Sequence, residues 1–115
     1  MDEIVPEAEE IEIHQPPRFA FGERVLSRTV IRNDGTFPGR DIGEVLVQRG
    51  EIGYVRGVGT FLQQFFIYSV EWIDRGYQVG MRARELCTLD RLPPEVLAQF
   101  AGRLEELDRL GRPQA

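Results

Sequence analysis

The stretch FFIYSVEW, residues 65–72, constrains the fold more than any other part of the chain. Phe66, Tyr68, Val70 and Trp72 fall on one side of an extended backbone, and Phe65, Ile67, Ser69 and Glu71 on the other. Aromatic and β-branched side chains suit a pleated surface, so this period of two predicts a strand with one face in a core. IDRG, residues 73–76, reads as a hairpin turn ending on Gly, and YQVGM, residues 77–81, as the return strand. A strand this apolar is an aggregation hazard if its edges stay bare, so the rest of the chain has to cover or pair them.

The flanking sequence continues the β pattern. RVLSRTVIR, residues 24–32, reads as a first strand, rich in β-branched residues. In EVLVQRGEIGYVRGVG, residues 44–59, short apolar runs are broken at Gly50 and Gly53 and stop at Gly57 and Gly59. RAREL, residues 82–86, fits one helical turn before a last short strand, CTL. Five short strands with glycines at the corners predict a mostly β fold, a small five-stranded barrel whose closure hides the edges. Pro93 and Pro94 then change the pattern to helix, with Leu97, Phe100, Leu104 and Leu107 recurring at steps of three and four, and Gly111 and Pro113 as the stop. This C-terminal α-helix, residues 95–110, offers one apolar stripe to pack on the barrel. Residues 1–17 read as a flexible acidic N-terminal arm closed by Pro16 and Pro17. The expected organisation is therefore an arm (1–17), a β domain (18–90), and a helix with a tail (91–115).

Composition narrows the function more than it names it. With 115 residues and 42% hydrophobic content the chain suits one domain with a single core. No apolar run approaches the ~20 residues that span a bilayer, and the start MDEIVPEAEEIEIHQPP lacks the basic and apolar regions of a signal peptide. A single cysteine precludes an internal disulfide framework, and a cytoplasmic location is the expectation. Residues 1–15 hold six acids and no base, whereas residues 18–92 hold eleven Arg against nine acids. No basic stripe exists to neutralise phosphates, so nucleic acid is not an expected partner. The only histidine, His14, lies in the arm, and Cys87 sits between Leu86 and Thr88 in a strand, where a buried, inert thiol is expected. One His and one Cys cannot build a nucleophilic triad, a zinc site or an iron–sulfur site within one chain. No catalytic residue, metal ligand or cofactor is expected, and the chain reads as a non-enzyme.

The loop IRNDGTFPG, residues 31–39, carries more turn chemistry than a hairpin needs. Asn33 and Asp34 can cap the turn through their side chains, Gly35 can take positive φ, and Pro38 and Gly39 hold a longer loop open.

The order of four segments, IRNDGT, GEVLVQRGEIGYV, GTFLQQFFIYSVEW and VGMRARELCTL, resembles the NifZ family of nitrogen-fixation accessory proteins across residues 18–90. The resemblance implies a Src-homology-3-like β-barrel and a chaperone-like role in maturing the nitrogenase molybdenum–iron protein. It implies that the immature form of that protein is the client while its iron–sulfur P-clusters assemble, with the nitrogenase iron protein alongside. No active residue carries over. Some family members have a second barrel-like segment where this chain has its helix, and Met81 stands where relatives can have Cys. Candidate partner-binding residues are Asn33, Asp34, Gly35, Thr36 and Phe37 in the first loop, and Phe61, Leu62, Gln63 and Gln64 ahead of the apolar strand. Loops on a rigid scaffold can carry contacts without disturbing the core, and Phe61 suits an aromatic anchor. The alternative is a general protein- or peptide-docking barrel with no role in cluster assembly.

Overall fold

A computed structural model describes residues 11–110. Its strands are β1 (Arg24–Ser27), β2 (Ile31–Arg32), β3 (Val45–Val47), β4 (Ile52–Phe61), β5 (Phe65–Trp72), β6 (Tyr77–Met81) and β7 (Leu86–Thr88). Five of them form an antiparallel sheet in the order β6-β5-β4-β1-β7, and β2 and β3 form a ladder of their own.

β5 lies between β4 and β6, and its burial alternates along all eight residues as the sequence pattern requires. Tyr68, Val70 and Trp72 are fully buried and Phe66 nearly so. They pack with Phe19, Val25, Val55, Met81 and Leu86, among others, in the main core. The expected turn follows: the Arg75 and Gly76 amides both donate to the Trp72 carbonyl, at 3.1 and 2.9 Å. Arg75 also clamps Glu51 with its Nε and Nη2, the shortest contact being 2.6 Å, which ties the turn to the corner before β4.

Three expectations need correction. The first strand does not run through residues 24–32. Ser27 is fully buried, and its Oγ donates to the Thr29 carbonyl at 2.7 Å. That local bond turns the chain away after β1, so Ile31 and Arg32 join β3 instead. Next, Gly57 and Gly59 do not stop a strand. β4 passes through both, and the register with β5 shifts between Val55 and Gly57, leaving Arg56 as the extra residue of a bulge. Finally, the described sheet is not a closed barrel, because no ladder joins β6 to β7. The space beside β6 is taken by the segment around β2 and β3 instead. Phe37 packs on Tyr77 with ring centroids 4.9 Å apart, and the Tyr77 hydroxyl donates to the Leu46 carbonyl at 2.8 Å.

Gly53, read from sequence as a break, is the second residue of β4 and is buried. A Cβ there would come 2.4 Å from the Glu71 carbonyl oxygen and 2.8 Å from Val70 Cγ1, so β4 and β5 meet at a spacing only glycine permits.

The C-terminal helical stretch begins at Pro94, one residue before the expected start, and comprises α1 (Pro94–Leu97), a 3-10 turn (Ala98–Phe100) and α2 (Ala101–Leu110). Leu97, Phe100 and Leu104 cover a second cluster formed by Ile52, Tyr54 and Leu89. The Leu107 side chain, Gly111 and Pro113 lie outside the described residues. No described helix is long and apolar enough to cross a membrane.

Of the expected flexible arm, residues 1–10 lie outside the described residues. The described part is docked rather than free. A 3-10 turn at Glu12–His14 sits against the start of β5, with Ile13 packed on the main core. The Phe66 amide donates to Glu12 Oε1 at 2.9 Å, and the Ile13 amide to the Gln64 carbonyl at 3.2 Å.

Candidate functional site

The two loops singled out in the sequence have different characters. In the first, Asn33 is buried and fully engaged. Its Nδ2 donates to the carbonyls of Phe37 and Arg40 at 3.1 and 3.0 Å, and its Oδ1 accepts from the amides of Gly35 and Phe37 at 2.9 and 3.1 Å. Asn33 thus folds the loop from inside and has nothing left to offer a partner. Gly35 takes the left-handed conformation that the turn needs, φ +105°, with the Ile42 side chain over it.

Asp34 is exposed and accepts from both the hydroxyl and the amide of Thr36, at 2.7 and 3.1 Å. The Thr36 hydroxyl, with help from the amide, holds the Asp34 carboxyl below its usual pKa of 3.8. A lowered folded-state pKa stabilises the loop above the unfolded value, and that contribution is lost only in acid, as pH falls through the folded pKa. Thr36 is exposed and Phe37 half-buried on Tyr77. Asp34, Thr36 and Phe37 line one wall of a groove of about 500 Å³ whose other wall is Gln78, Val79 and Gly80 of β6.

The second loop is the tip of the β4–β5 hairpin, and it is open. Phe61 is 51% exposed and Leu62 70%. The Gln64 amide donates to the Phe61 carbonyl at 3.0 Å, closing a four-residue turn. Its two central residues, Leu62 and Gln63, have φ of 54° and 55°. Hairpin turns of this hand favour Asn-Gly, because a side-chain-bearing residue pays roughly 1–2 kcal/mol for the left-handed region. Glu12 and Ile13, bonded at the base of the turn, brace it. Sequence reasoning assigned those two residues to a solvated arm; the signal available was Ile11 and Ile13 alternating within an otherwise acidic run.

The structure does not merge the two loops into one surface. Phe37 rests on Tyr77, which pairs with Trp72 at the far end of β5, whereas the tip leads into Phe65 at its beginning. At ~3.3 Å per residue those ends are roughly 20 Å apart. One further residue at the tip escaped the sequence reading. Arg82 lies with its guanidinium carbon 3.5 Å from the centroid of the Phe65 ring, and Phe61 packs beside that ring at 5.4 Å.

The model of the NifZ domain matches residues 16–88, which is the whole sheet together with both loops. The chain belongs to the NifZ family. The match covers well over half of its length and stops before the C-terminal helix. The chain is 67% identical over 81 residues to a protein of Sinorhizobium fredii described as a putative NifZ protein, covering 70% of this chain and 75% of that one. It is 46% identical over 72 residues to a probable NifZ protein of Rhodobacter capsulatus, covering 63% of this chain and 92% of the other. It is 44% identical over 70 residues to the NifZ protein of Azotobacter vinelandii, but spans only 44% of that longer protein. No solved structure gives a significant match. Family membership supports an accessory role in nitrogen fixation for the NifZ domain. Among the described residues no group of three or more His, Cys, Asp or Glu could hold a metal ion.

Proposed function

We propose that the chain is a non-enzymatic, chaperone-like accessory factor that holds immature nitrogenase molybdenum–iron protein while its P-clusters form. The nitrogenase iron protein acts alongside, and the setting is the cytoplasm. The observation that carries the reading is the hairpin tip: Phe61 and Leu62 stand in solvent on a turn whose backbone is held in a costly conformation. Strain maintained in an exposed apolar turn has a reason when the turn meets a partner. The scaffold is read as an incompletely closed barrel of Src-homology-3-like type; the strand order β6-β5-β4-β1-β7 and the short 3-10 turn ahead of β7 support that description.

Replacing the turn with its preferred residues separates stability from binding. The double variant Leu62→Asn/Gln63→Gly is expected to raise unfolding free energy by about 1–2 kcal/mol, since both strained positions are relieved. The same variant removes an exposed apolar anchor, so retention of immature molybdenum–iron protein in a pull-down is expected to fall by about tenfold. Denaturant unfolding and the pull-down, run on both immature and mature client, check the two halves. Equal retention of the immature and mature forms would favour a general docking module over the maturation role.

A further inference from the structure

We propose that the tip recognises a segment of a protein partner that pairs a bulky apolar side chain with an Asp or Glu carboxylate. The Phe61 and Phe65 rings would take the first and the Arg82 guanidinium the second. This rests on the tip being the docking surface, and it adds the chemistry of what docks there.

The other half-buried arginines, Arg24, Arg75 and Arg103, each stand against an acid, as do several exposed ones, whereas Arg28, Arg32 and Arg49 lie in solvent. Arg24 pairs with Asp90 at 2.6 Å, Arg75 with Glu51 at 2.6 Å, Arg56 with Glu71 at 2.6 Å and Arg91 with Glu23 at 2.9 Å. Arg82 breaks that rule. It is half-buried, yet no described carboxylate lies in ion-pair contact with it, and its Nε is buried with no hydrogen-bond partner. Two acids of the neighbouring segments, Glu12 and Glu85, each hold a backbone amide with one oxygen, and neither is in ion-pair contact with Arg82. Glu12 accepts the Phe66 amide, and Glu85 accepts the backbone amide of Arg82 itself at 2.8 Å.

A cation withdrawn from water without a counter-charge is costly, and the Phe65 ring beneath it recovers only part of that cost. Stacking also fixes the plane of the guanidinium, so its fork of donors is oriented before any partner arrives. A carboxylate is the group that matches such a fork, with two parallel charge-assisted hydrogen bonds. Beside it, Phe61 is half-exposed and Leu62 mostly exposed, an apolar surface that gains by being covered. Apolar surface and unpaired cation are adjacent, which selects a partner segment with both features close together.

The test uses random twelve-residue peptides displayed on phage and selected on the full chain, so it does not depend on the identity of the client. Enriched peptides are expected to carry Asp or Glu close to a bulky apolar residue. On the unaltered protein, replacing that acid by its amide in a synthetic copy is expected to weaken binding at least about tenfold and to remove its salt dependence. Arg82→Gln is expected to give a similar loss, which Arg82→Lys restores only in part because an ammonium lacks the planar fork. Bound peptide should shift the amide resonances of Phe61, Leu62 and Phe65. Enrichment of peptides without acids, absence of enrichment, or indifference to the acid-to-amide change would each overturn the proposal. Failure of the molybdenum–iron protein to be retained, with the peptide results as expected, would overturn the maturation role and leave this one standing.

Discussion

Gly53→Ala is expected to destabilise the protein by about 3 kcal/mol or more, at the upper end of what overpacking costs in a well-packed core. The added methyl would meet the Glu71 carbonyl oxygen at 2.4 Å, Val70 Cγ1 at 2.8 Å and Trp72 Cε3 at 3.0 Å. A flexible side chain could swing away from such a contact, but the first of these atoms is backbone. It lies in the longest ladder of the sheet, where Gly53 faces Trp72 and Tyr54 faces Glu71. Relief would require β4 and β5 to part where Trp72, Tyr54 and Val70 are all buried. In a domain of about 100 residues each kcal/mol moves the melting temperature by roughly 4–8 °C, so a fall of more than about 12 °C is expected. A thermal melt within a few degrees of the unaltered protein would show that the two strands can separate cheaply there. Gly57, with only a distant side-chain neighbour at 3.8 Å, is the matched control and should accept Ala with little change.

Asn33→Ala is expected to cost about 2–3 kcal/mol, because one side chain makes four hydrogen bonds within its loop and net values near 1 kcal/mol apiece are typical. Part of that is recovered as the freed groups reach water at the exposed loop. The diagnostic is local. Hydrogen exchange at the Gly35 and Phe37 amides should accelerate strongly while the β5 amides stay protected until global unfolding. Asn33→Asp separates the two halves of the side chain. It keeps the oxygen that accepts from Gly35 and Phe37, but it turns the other end, which faces the Phe37 and Arg40 carbonyls, from donor to acceptor. The Asn33→Asp variant is therefore expected to be little better than Asn33→Ala. A stability equal to that of the unaltered protein would mean that the two carbonyl contacts contribute nothing and that Asn33 does not fold the loop from inside.

These two residues also mark where the sequence was legible and where it was not. Strand β5, its turn and β6 were readable because alternation and turn chemistry are local properties, and Pro94 announced the helix in the same way. Gly53 looked like a corner, since a glycine among apolar residues carries no mark of whether it bends the chain or admits a neighbour. Asn33 was recognised as turn-forming and also nominated as a contact. Burial decides between those roles, and burial is a tertiary property. Ser27 ended a strand that propensity alone extends to Arg32, through a hydroxyl bond two residues ahead. Whether the sheet closes could not be read from strand count, since it depends on what lies beside β6. Arg82 was invisible for a similar reason: its significance is the absence of a described carboxylate partner among residues far apart in the chain.

The pairing of β1 with β7 has a consequence for how the molecule assembles. β4, β5 and β6 are joined by short turns, so their pairing closes small loops, whereas Val25 pairs with Thr88 across most of the domain. Contacts between distant residues are entropically late, which makes the meander the natural nucleus and the β1–β7 ladder the final seam. Val70→Ala, in the meander, is then expected to slow folding, and Leu86→Ala, in the seam, mainly to speed unfolding, as chevron plots would resolve. Until that seam forms, β1 lacks one of its two neighbours, so a chain still being synthesised carries an open strand edge of its own.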